Sequence, residues 1–221
     1  MDTRRGERGV HADPAPPNGA AADGEACLIL IGGRSGCGKT TVVEQLVTDL
    51  PAVYARVPSF TSRARRPGEG DGEYRFVTRA AMLAMSAGGD LFSLDEAYGD
   101  YYAMSRRAIE EITAGGRFAV KEMHAKNHPA VLAQLPGTIS VLLWLPDERW
   151  SDDRVGGEPA RRRRLAEDRA YYAALAPDRF DIVHRIEAEE TPSMIAQALH
   201  VGIQQLAGAR CRPAVAKARR P

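Results

Sequence analysis

The chain has 221 residues, 44% of them hydrophobic, and a formal net charge of +1 at pH 7. The length suits one α/β domain with a large core, and the balanced charge offers no global basic field for nucleic acid or a membrane surface. No run approaches the roughly 18 apolar residues of a membrane span. Three scattered cysteines, Cys27, Cys37 and Cys211, are too few for a disulfide framework or a zinc site, which suits a reducing cytoplasm.

Both ends of the chain differ in composition from its middle. Residues 1–25 are rich in Ala, Gly, Pro, Asp and Arg and carry no periodic apolar face. This composition predicts a disordered leader, and the segment lacks the apolar centre of a secretion signal. Residues 207–221 form a basic tail that contains proline. We therefore expect the folded domain to occupy residues 26–206.

A glycine-rich turn between two regular elements is the strongest motif of the chain. The apolar run 26–31 predicts a strand buried on both faces of a parallel sheet, and 40–49 predicts the first helix. Between them, Gly33, Gly38, Lys39 and Thr40 complete the pattern G-x-x-x-x-G-K-[ST]. Backbone N–H groups of such a loop bind phosphates, the lysine reaches the outer phosphates, and the threonine hydroxyl can ligate Mg²⁺. The residues expected to bind ATP are Gly33, Arg34, Ser35, Gly36, Cys37, Gly38, Lys39, Thr40 and Thr41.

Arginines and hydroxyl groups crowd residues 59–76, which follow a predicted strand at 53–57. Four arginines among Gly and Pro predict a loop that presents guanidinium groups to an anion, because the planar donors of arginine bind two phosphate oxygens at once. A solvated charged loop has the same composition. The position of the segment after a phosphate-binding loop favours a second phosphate site.

The later elements alternate between helix and strand. Helices are predicted at 80–87, 106–114, 129–134 and 191–206, a short apolar piece at 91–94, and strands at 118–124, 138–145 and 180–186. In the strand 118–124, a period of two places Glu122 and His124 on one face, at the end of the strand where open α/β sheets bind ligands. Lys121, between apolar neighbours, is unusual for a central strand.

Residues 147–168 are dense in arginine around a Gly-Pro interruption. The arginines are Arg149, Arg154, Arg161, Arg162, Arg163 and Arg164. A helical hairpin of this kind can close over transferring phosphates and neutralise their charge. A solvated basic helix is nearly as good an interpretation for any single arginine.

The order of these motifs resembles the guanylate kinase family. After the phosphate-binding loop come S-x-T-x-R-x-x-R-P-G-E-x-x-G-x-Y-x-F from Ser59, then G-x-Y-Y from Gly99, an acid-bearing strand and an arginine-rich hairpin. The resemblance covers roughly 26–206 and implies an α/β P-loop fold of three layers with a central parallel sheet. It implies a core (26–57, 117–146 and 166–206), an inserted acceptor-binding subdomain (58–116) and a lid (147–165).

The resemblance also implies an activity: transfer of the γ-phosphoryl group of ATP to the phosphate of GMP, with Mg²⁺. The positions that bind or support the acceptor phosphate fall on Ser59, Arg63, Arg66, Glu69, Tyr74 and Tyr102. The positions around the guanine depart from the family pattern and fall on Ser93, Met104, Glu122 and His124. Catalytic roles are expected for Lys39, Arg66, Arg154 and Arg164, with the choice among Arg161 to Arg164 left open, and the metal position falls on Thr40.

The resemblance makes GMP the default acceptor. Because the departures concentrate around the base, another phosphorylated or phosphonate small molecule is the alternative. That molecule would be another nucleotide, a ribose bisphosphate or a specialised metabolite. A non-catalytic protein-binding module of the same family is less favoured, because its phosphate-binding loop is typically degraded and this one is complete. The expected partners are nucleotide and phosphorylated small-molecule substrates in the cytoplasm, without nucleic acid or membrane, and the oligomeric state stays open.

Overall fold

The strand β1 (Leu28–Gly33) lies in the middle of a parallel sheet. The protein is described by a computed structural model that covers residues 27–65, 74–97, 99–149 and 168–210. The other strands of this sheet are β2 (Tyr54–Arg56), β7 (Phe118–Glu122), β8 (Ile139–Trp144) and β9 (Ile182–Arg185). Their order is β2–β7–β1–β8–β9, with every pairing parallel. The predicted α/β fold with a central parallel sheet is confirmed.

Helices cover both faces of this sheet. They are α1 (Lys39–Asp49), α3 (Arg106–Ala114), α4 (His128–Leu132), α5 (helical over 168–173) and α6 (Pro192–Arg210), whereas α2 (Arg79–Ala87) packs on the second sheet described below. Alternate side chains of β1 point to opposite faces. Ile29 and Ile31 therefore pack in an apolar cluster with α1 and α6, whereas Leu28 and Leu30 pack in a second cluster with α3 and α4. Burying each such side chain is worth roughly 1.5–3 kcal/mol, so β1 anchors both layers.

A second sheet is formed by the segment between β2 and α3. Its strands are β3 (Ser59–Thr61), β4 (Tyr74–Phe76), β5 (Leu91–Ala97) and β6 (Asp100–Ser105), in the order β4–β3–β6–β5. The segment 59–76, expected to be a loop, therefore begins and ends in strands, and the prediction was wrong at both ends. Aromatic and β-branched residues occupy these strands, and such residues favour a pleated, half-buried surface.

Local sequence explains where the helices of this segment begin. The Thr78 hydroxyl accepts a hydrogen bond from the Ala81 N–H at 3.1 Å, and the Ser105 hydroxyl accepts one from the Ala108 N–H at 3.2 Å. Both are N-caps that satisfy a backbone donor left free at the start of a helix. The caps place α2 and α3 directly after strands of the second sheet.

Two other expectations change in the structure. The strand predicted to run to His124 ends at Glu122, because the chain turns into a 3₁₀ segment (Ala125–Asn127) in which the His124 ring accepts from the Lys126 N–H. The three scattered cysteines predicted no disulfide framework; Cys27 is nevertheless disulfide-bonded, and Cys37 is a buried free thiol. Within the described residues, no helix combines the length and apolar character needed to cross a membrane.

Candidate active site

The phosphate-binding loop (residues 33–40) leaves the end of β1 and enters α1. Gly36 and Gly38 have φ values of 78° and 95°, in the left-handed region that glycine adopts without steric cost. The Lys39 Nζ donates to the carbonyl oxygens of Gly33 at 2.8 Å and Arg34 at 2.9 Å. The lysine thus folds back over the loop, and its ammonium group lies at the loop's mouth.

Gly33 lets the loop lie directly against β8. A Cβ atom at this position would lie 2.6 Å from the Cys37 Sγ and 2.8 Å from the Leu143 carbonyl oxygen. Burial raises the pKa of the Cys37 thiol, and the nearby positive charge of Lys39 offsets this only in part. The thiol is therefore protonated at neutral pH and packs as a small apolar group.

A carboxylate occupies part of the loop's mouth. Asp168, at the start of the described part of α5, accepts a hydrogen bond from the Ser35 N–H at 3.1 Å and lies 2.7 Å from the His124 Nε2. Burial raises the pKa of Asp168, but the contact with His124, the Ser35 N–H and the charge of Lys39 outweigh burial and leave this pKa below its usual value. An anion of the protein itself therefore bonds one of the N–H groups expected to bind phosphate.

Arg34 connects the loop to the carboxyl end of β8. Its guanidinium group bonds the Asp147 carboxylate and lies 5.8 Å from the centre of the Tyr172 ring. These three residues line a cavity of about 210 Å³ together with Leu143, Trp144, Leu145 and Ala173. The phosphate-binding loop is thus bordered by a partly apolar cavity, and the residues that line this cavity come mainly from β8 and α5.

On the other side of β1, a buried charged cluster lies at the end of β7. The Lys121 side chain is 7% exposed, and its Nζ lies 2.6 Å from the Ser59 Oγ and 4.0 Å from the Glu122 Oε1. The Arg56 guanidinium group donates to the same Oε1. The Glu122 Oε2 is buried and has no hydrogen-bond partner among the described residues. Register places Glu122 opposite Ile31 of β1, two residues before the phosphate-binding loop.

The expectation that Glu122 and His124 share one face is corrected by these contacts. Glu122 bonds Arg56, whereas His124 bonds Asp168 beside the phosphate-binding loop. The reason is the end of β7 at Glu122, after which the alternation of a strand no longer applies. Of Glu122 and His124, only Glu122 lies within 4.0 Å of the Lys121 ammonium group that bonds Ser59.

Aromatic rings and an arginine gather on the second sheet. The Arg63 guanidinium group lies 4.8 Å from the centre of the Tyr74 ring, and the Tyr74 and Tyr102 rings meet edge to face at 6.4 Å. The strand register that places Thr61 opposite Tyr102 also places Ser59 opposite Met104. Met104 is 2% exposed and packs in the apolar cluster of α3 and α4. Its observed role is packing, and its predicted contact with an acceptor remains a prediction.

Several predicted residues lie outside the described part of the chain. They are Arg66, Glu69, Arg154 and Arg161 to Arg164, and for Ser93 the structure describes only the backbone, in β5. Two residues of the site were missed. Lys121 carried a signal, a charged residue inside an apolar strand, whereas Asp168 carried none, because it meets Ser35 across 133 positions of sequence.

Comparison with known proteins agrees with this geometry. The sequence model of the guanylate kinase family matches residues 25–183. The guanylate kinase of Symbiobacterium thermophilum is 34% identical over 146 residues, covering 63% of this chain and 69% of that protein. That of Trichormus variabilis is 34% identical over 161 residues, covering 70% and 79%.

One solved structure shares the fold. The crystal structure of guanylate kinase from Anaplasma phagocytophilum aligns with a TM-score of 0.58 and 19% identity, over 86% of this chain and 88% of that one. The resemblance inferred from the motifs is confirmed, since the matched residues contain the phosphate-binding loop, the second sheet and β7. The chain therefore belongs to the guanylate kinase family.

Proposed function

We propose that this protein transfers the γ-phosphoryl group of ATP to the phosphate of GMP. The observation that carries the proposal is the position of two sites at neighbouring strand ends. The donor loop follows β1, and the cluster of Lys121, Glu122 and Ser59 lies at the end of β7, which pairs with β1. Phosphoryl transfer requires a donor and an acceptor held side by side, and little covalent chemistry from the protein.

On the donor side, we assign the triphosphate to the loop from Gly33 to Thr40. Only glycine fits at the start of this loop, because a Cβ atom at Gly33 would collide with the Leu143 carbonyl oxygen of β8. The exposed Thr40 hydroxyl, in the first turn of α1, fits Mg²⁺ as a neutral oxygen ligand. When bound, Mg²⁺ would offset the charge of the phosphates, and Lys39 would add a second positive charge at the mouth of the loop.

On the acceptor side, we assign the phosphate to Arg63, Tyr74 and Tyr102 with Ser59, and to Arg66 and Glu69. Arg63 lies over an aromatic face, which fixes the plane of its guanidinium group for binding two phosphate oxygens. We assign the guanine to the end of β7, where the unpartnered Glu122 Oε2 can accept from a base N–H group. Ser93, Met104 and His124 complete the predicted set of acceptor residues.

We further propose that residues 147–165 act as a lid that brings Arg154 and Arg164 to the transferring group. We also assign the acceptor-binding subdomain to residues 58–116. Positive charge supplied at the moment of transfer lowers the barrier, and exclusion of water prevents ATP hydrolysis. The relatives do not favour either alternative, a different phosphorylated acceptor or a non-catalytic binding module, because those named above are guanylate kinases.

Release of ADP measured with a panel of acceptors tests the proposal. We expect turnover with GMP and Mg·ATP to exceed that with AMP, CMP, UMP or water by at least about a hundredfold, since a hydrogen-bonding site leaves its polar groups unpaired with a wrong base. Lys39→Met should abolish turnover while the protein keeps its fold. Arg107→Met removes a charge on a side chain that is 79% exposed on α3 and serves as the control. GMP turnover no faster than ATP hydrolysis in water would reject the proposal.

A further inference from the structure

The side of α6 that faces away from the core carries an apolar stripe. Met194 is 52% exposed and Val201 is 54% exposed, the two largest values among the large hydrophobic side chains of the described residues. They are seven positions apart and therefore lie on one side of the helix, with the exposed Ala198 between them. The opposite side, which includes Leu199 and Ile203, is buried in the apolar cluster of β1 and α1. Packing against the core thus accounts for one side of α6 and not for the stripe.

Charged side chains are nearly absent from the same helix. α6 has 19 residues, and before its last residue, Arg210, only His200 is ionisable. A helix that leaves one side in water usually carries charges on that side, and α3 does so with the exposed Arg107, Glu110 and Glu111. Loss of charge together with an exposed methionine is the composition found at the centre of protein–protein interfaces. The exposed side of α6 therefore has the composition of an interface.

The sequence on either side of α6 identifies the partner. The exposed Glu187 and Glu189 precede the helix. From the end of α6 onward the sequence contains no acidic residue, and its basic residues are Arg210, Arg212, Lys217, Arg219 and Arg220. Two copies of this helix that lie antiparallel bring the acidic start of each one beside the basic end of the other. A two-fold axis produces this antiparallel arrangement, so the surface that complements α6 is α6 of a second copy of the chain.

We propose that two copies of this chain associate through the stripe of Met194, Ala198 and Val201, with their α6 helices antiparallel. When Ala198 of one copy faces Val201 of the other, the small alanine leaves room for the valine. The same register brings Glu189 of each copy level with Arg210 of the other. A single pair of helices buries less than the roughly 1,600 Å² of a standard interface, so the dissociation constant lies in the micromolar range.

Sedimentation velocity of the full chain, at concentrations up to about 200 µM, tests the association. The mean mass of the wild type should rise with concentration toward twice the 24.0 kDa of one chain. Val201→Lys should weaken the dimer at least about tenfold, because it introduces two like charges at the centre of a small interface. Leu83→Lys is the matched control, since it replaces a side chain that is 47% exposed on α2, and it should dimerise like the wild type. Met194→Lys serves the same purpose if Val201→Lys does not fold.

An exchange of charges tests the antiparallel arrangement. Glu189→Lys and Arg210→Glu each bring like charges together in the proposed register, and each should weaken the dimer by a factor of about three. The double variant brings opposite charges together again and should recover the affinity of the wild type.

Three results would overturn the inference. The first is a wild type that stays a monomer at every concentration, whether the stripe is bare or covered by another segment of the same chain. The second is a dimer that Val201→Lys and Met194→Lys leave as tight as before. The third is a double variant, Glu189→Lys with Arg210→Glu, that dimerises no better than either single variant. Because none of these residues belongs to the proposed active site, the outcome is independent of phosphoryl transfer.

Discussion

At the scale of single residues, Gly33 determines how closely the phosphate-binding loop approaches the parallel sheet. We expect Gly33→Ala to weaken ATP binding at least about tenfold and to lower the melting temperature. Its Cβ would lie 2.8 Å from a backbone oxygen of β8, which cannot move as a flexible side chain does. ATP titration by calorimetry and thermal melting measure both effects.

The control for this prediction is another glycine. A Cβ at Gly208, within α6, would meet nothing within 4 Å. Gly208→Ala should therefore bind ATP like the wild type and gain about 1 kcal/mol of stability from better helix propensity. If Gly33→Ala behaves like Gly208→Ala, the close approach of loop and strand does not control the binding of phosphate.

His128 gives the fold a pH dependence. Burial, and to a lesser extent nearby His124, lowers the pKa of His128 to about 4, and its Nδ1 lies 2.7 Å from the Ser140 Oγ. Between pH 4 and the unfolded pKa of about 6.5, the unfolded chain binds more protons than the folded one, so stability rises with pH over that window. A shift of this size corresponds to about 3 kcal/mol of lost stability at pH 4, relative to pH 7.

Denaturant unfolding at pH 7, 5.5 and 4 measures this loss. His128→Asn should be less stable than the wild type at pH 7, because the buried contact with Ser140 is disturbed. Its free energy of unfolding should nevertheless depend much less on pH between pH 6.5 and 4 than that of the wild type. A variant that keeps the full wild-type slope would show that other groups cause the pH dependence.

The contact between α5 and the donor loop gives a prediction at the scale of the elements. Asp168 bonds the Ser35 N–H and places a negative charge where a phosphate would bind. We expect Asp168→Asn to lower the Kd for Mg·ATP by a factor of roughly three to ten, a modest factor because the carboxylate is already hydrogen-bonded to His124 and the Ser35 N–H. Asp178→Asn, in an exposed 3₁₀ turn, is the matched control. Weaker binding in Asp168→Asn would mean that the carboxylate supports the loop and does not compete with the nucleotide.

Elements with a strong local signal were predictable, and their ends were less so. The pattern from the apolar run to Lys39 predicted β1, the loop and α1, because glycine, lysine and helix signals all lie within fifteen residues. The alternation in β7 predicted a strand but not its end, since His124 turns toward Lys126 and Asp168 through contacts that no period reveals. The strands of 59–76 were missed, because Arg and Gly around them favour a loop.

At the scale of the whole molecule, the order of motifs predicted the family and the parallel sheet. It did not predict which charged residues meet across the two sheets. Lys121 and Ser59 are 62 positions apart, and their contact exists only when β3 of the second sheet lies over the end of β7. Residues of this kind are found from the fold, because local sequence fixes neither partner. Phosphate-binding motifs are therefore recognisable in the local sequence, whereas the contact between Lys121 and Ser59 is not.

The central place of β1 has a consequence for how the chain folds. Its two neighbours are β7, with Leu28 opposite Ala119, and β8, with Ile29 opposite Ile139. β1, the first of the described strands, therefore stays without either neighbour until just over half of the 221 residues have left the ribosome. Contacts so distant in sequence are closed slowly, because loop-closure entropy opposes them before any contact forms. During synthesis, the apolar run of β1 is thus an exposed segment that a chaperone is suited to cover.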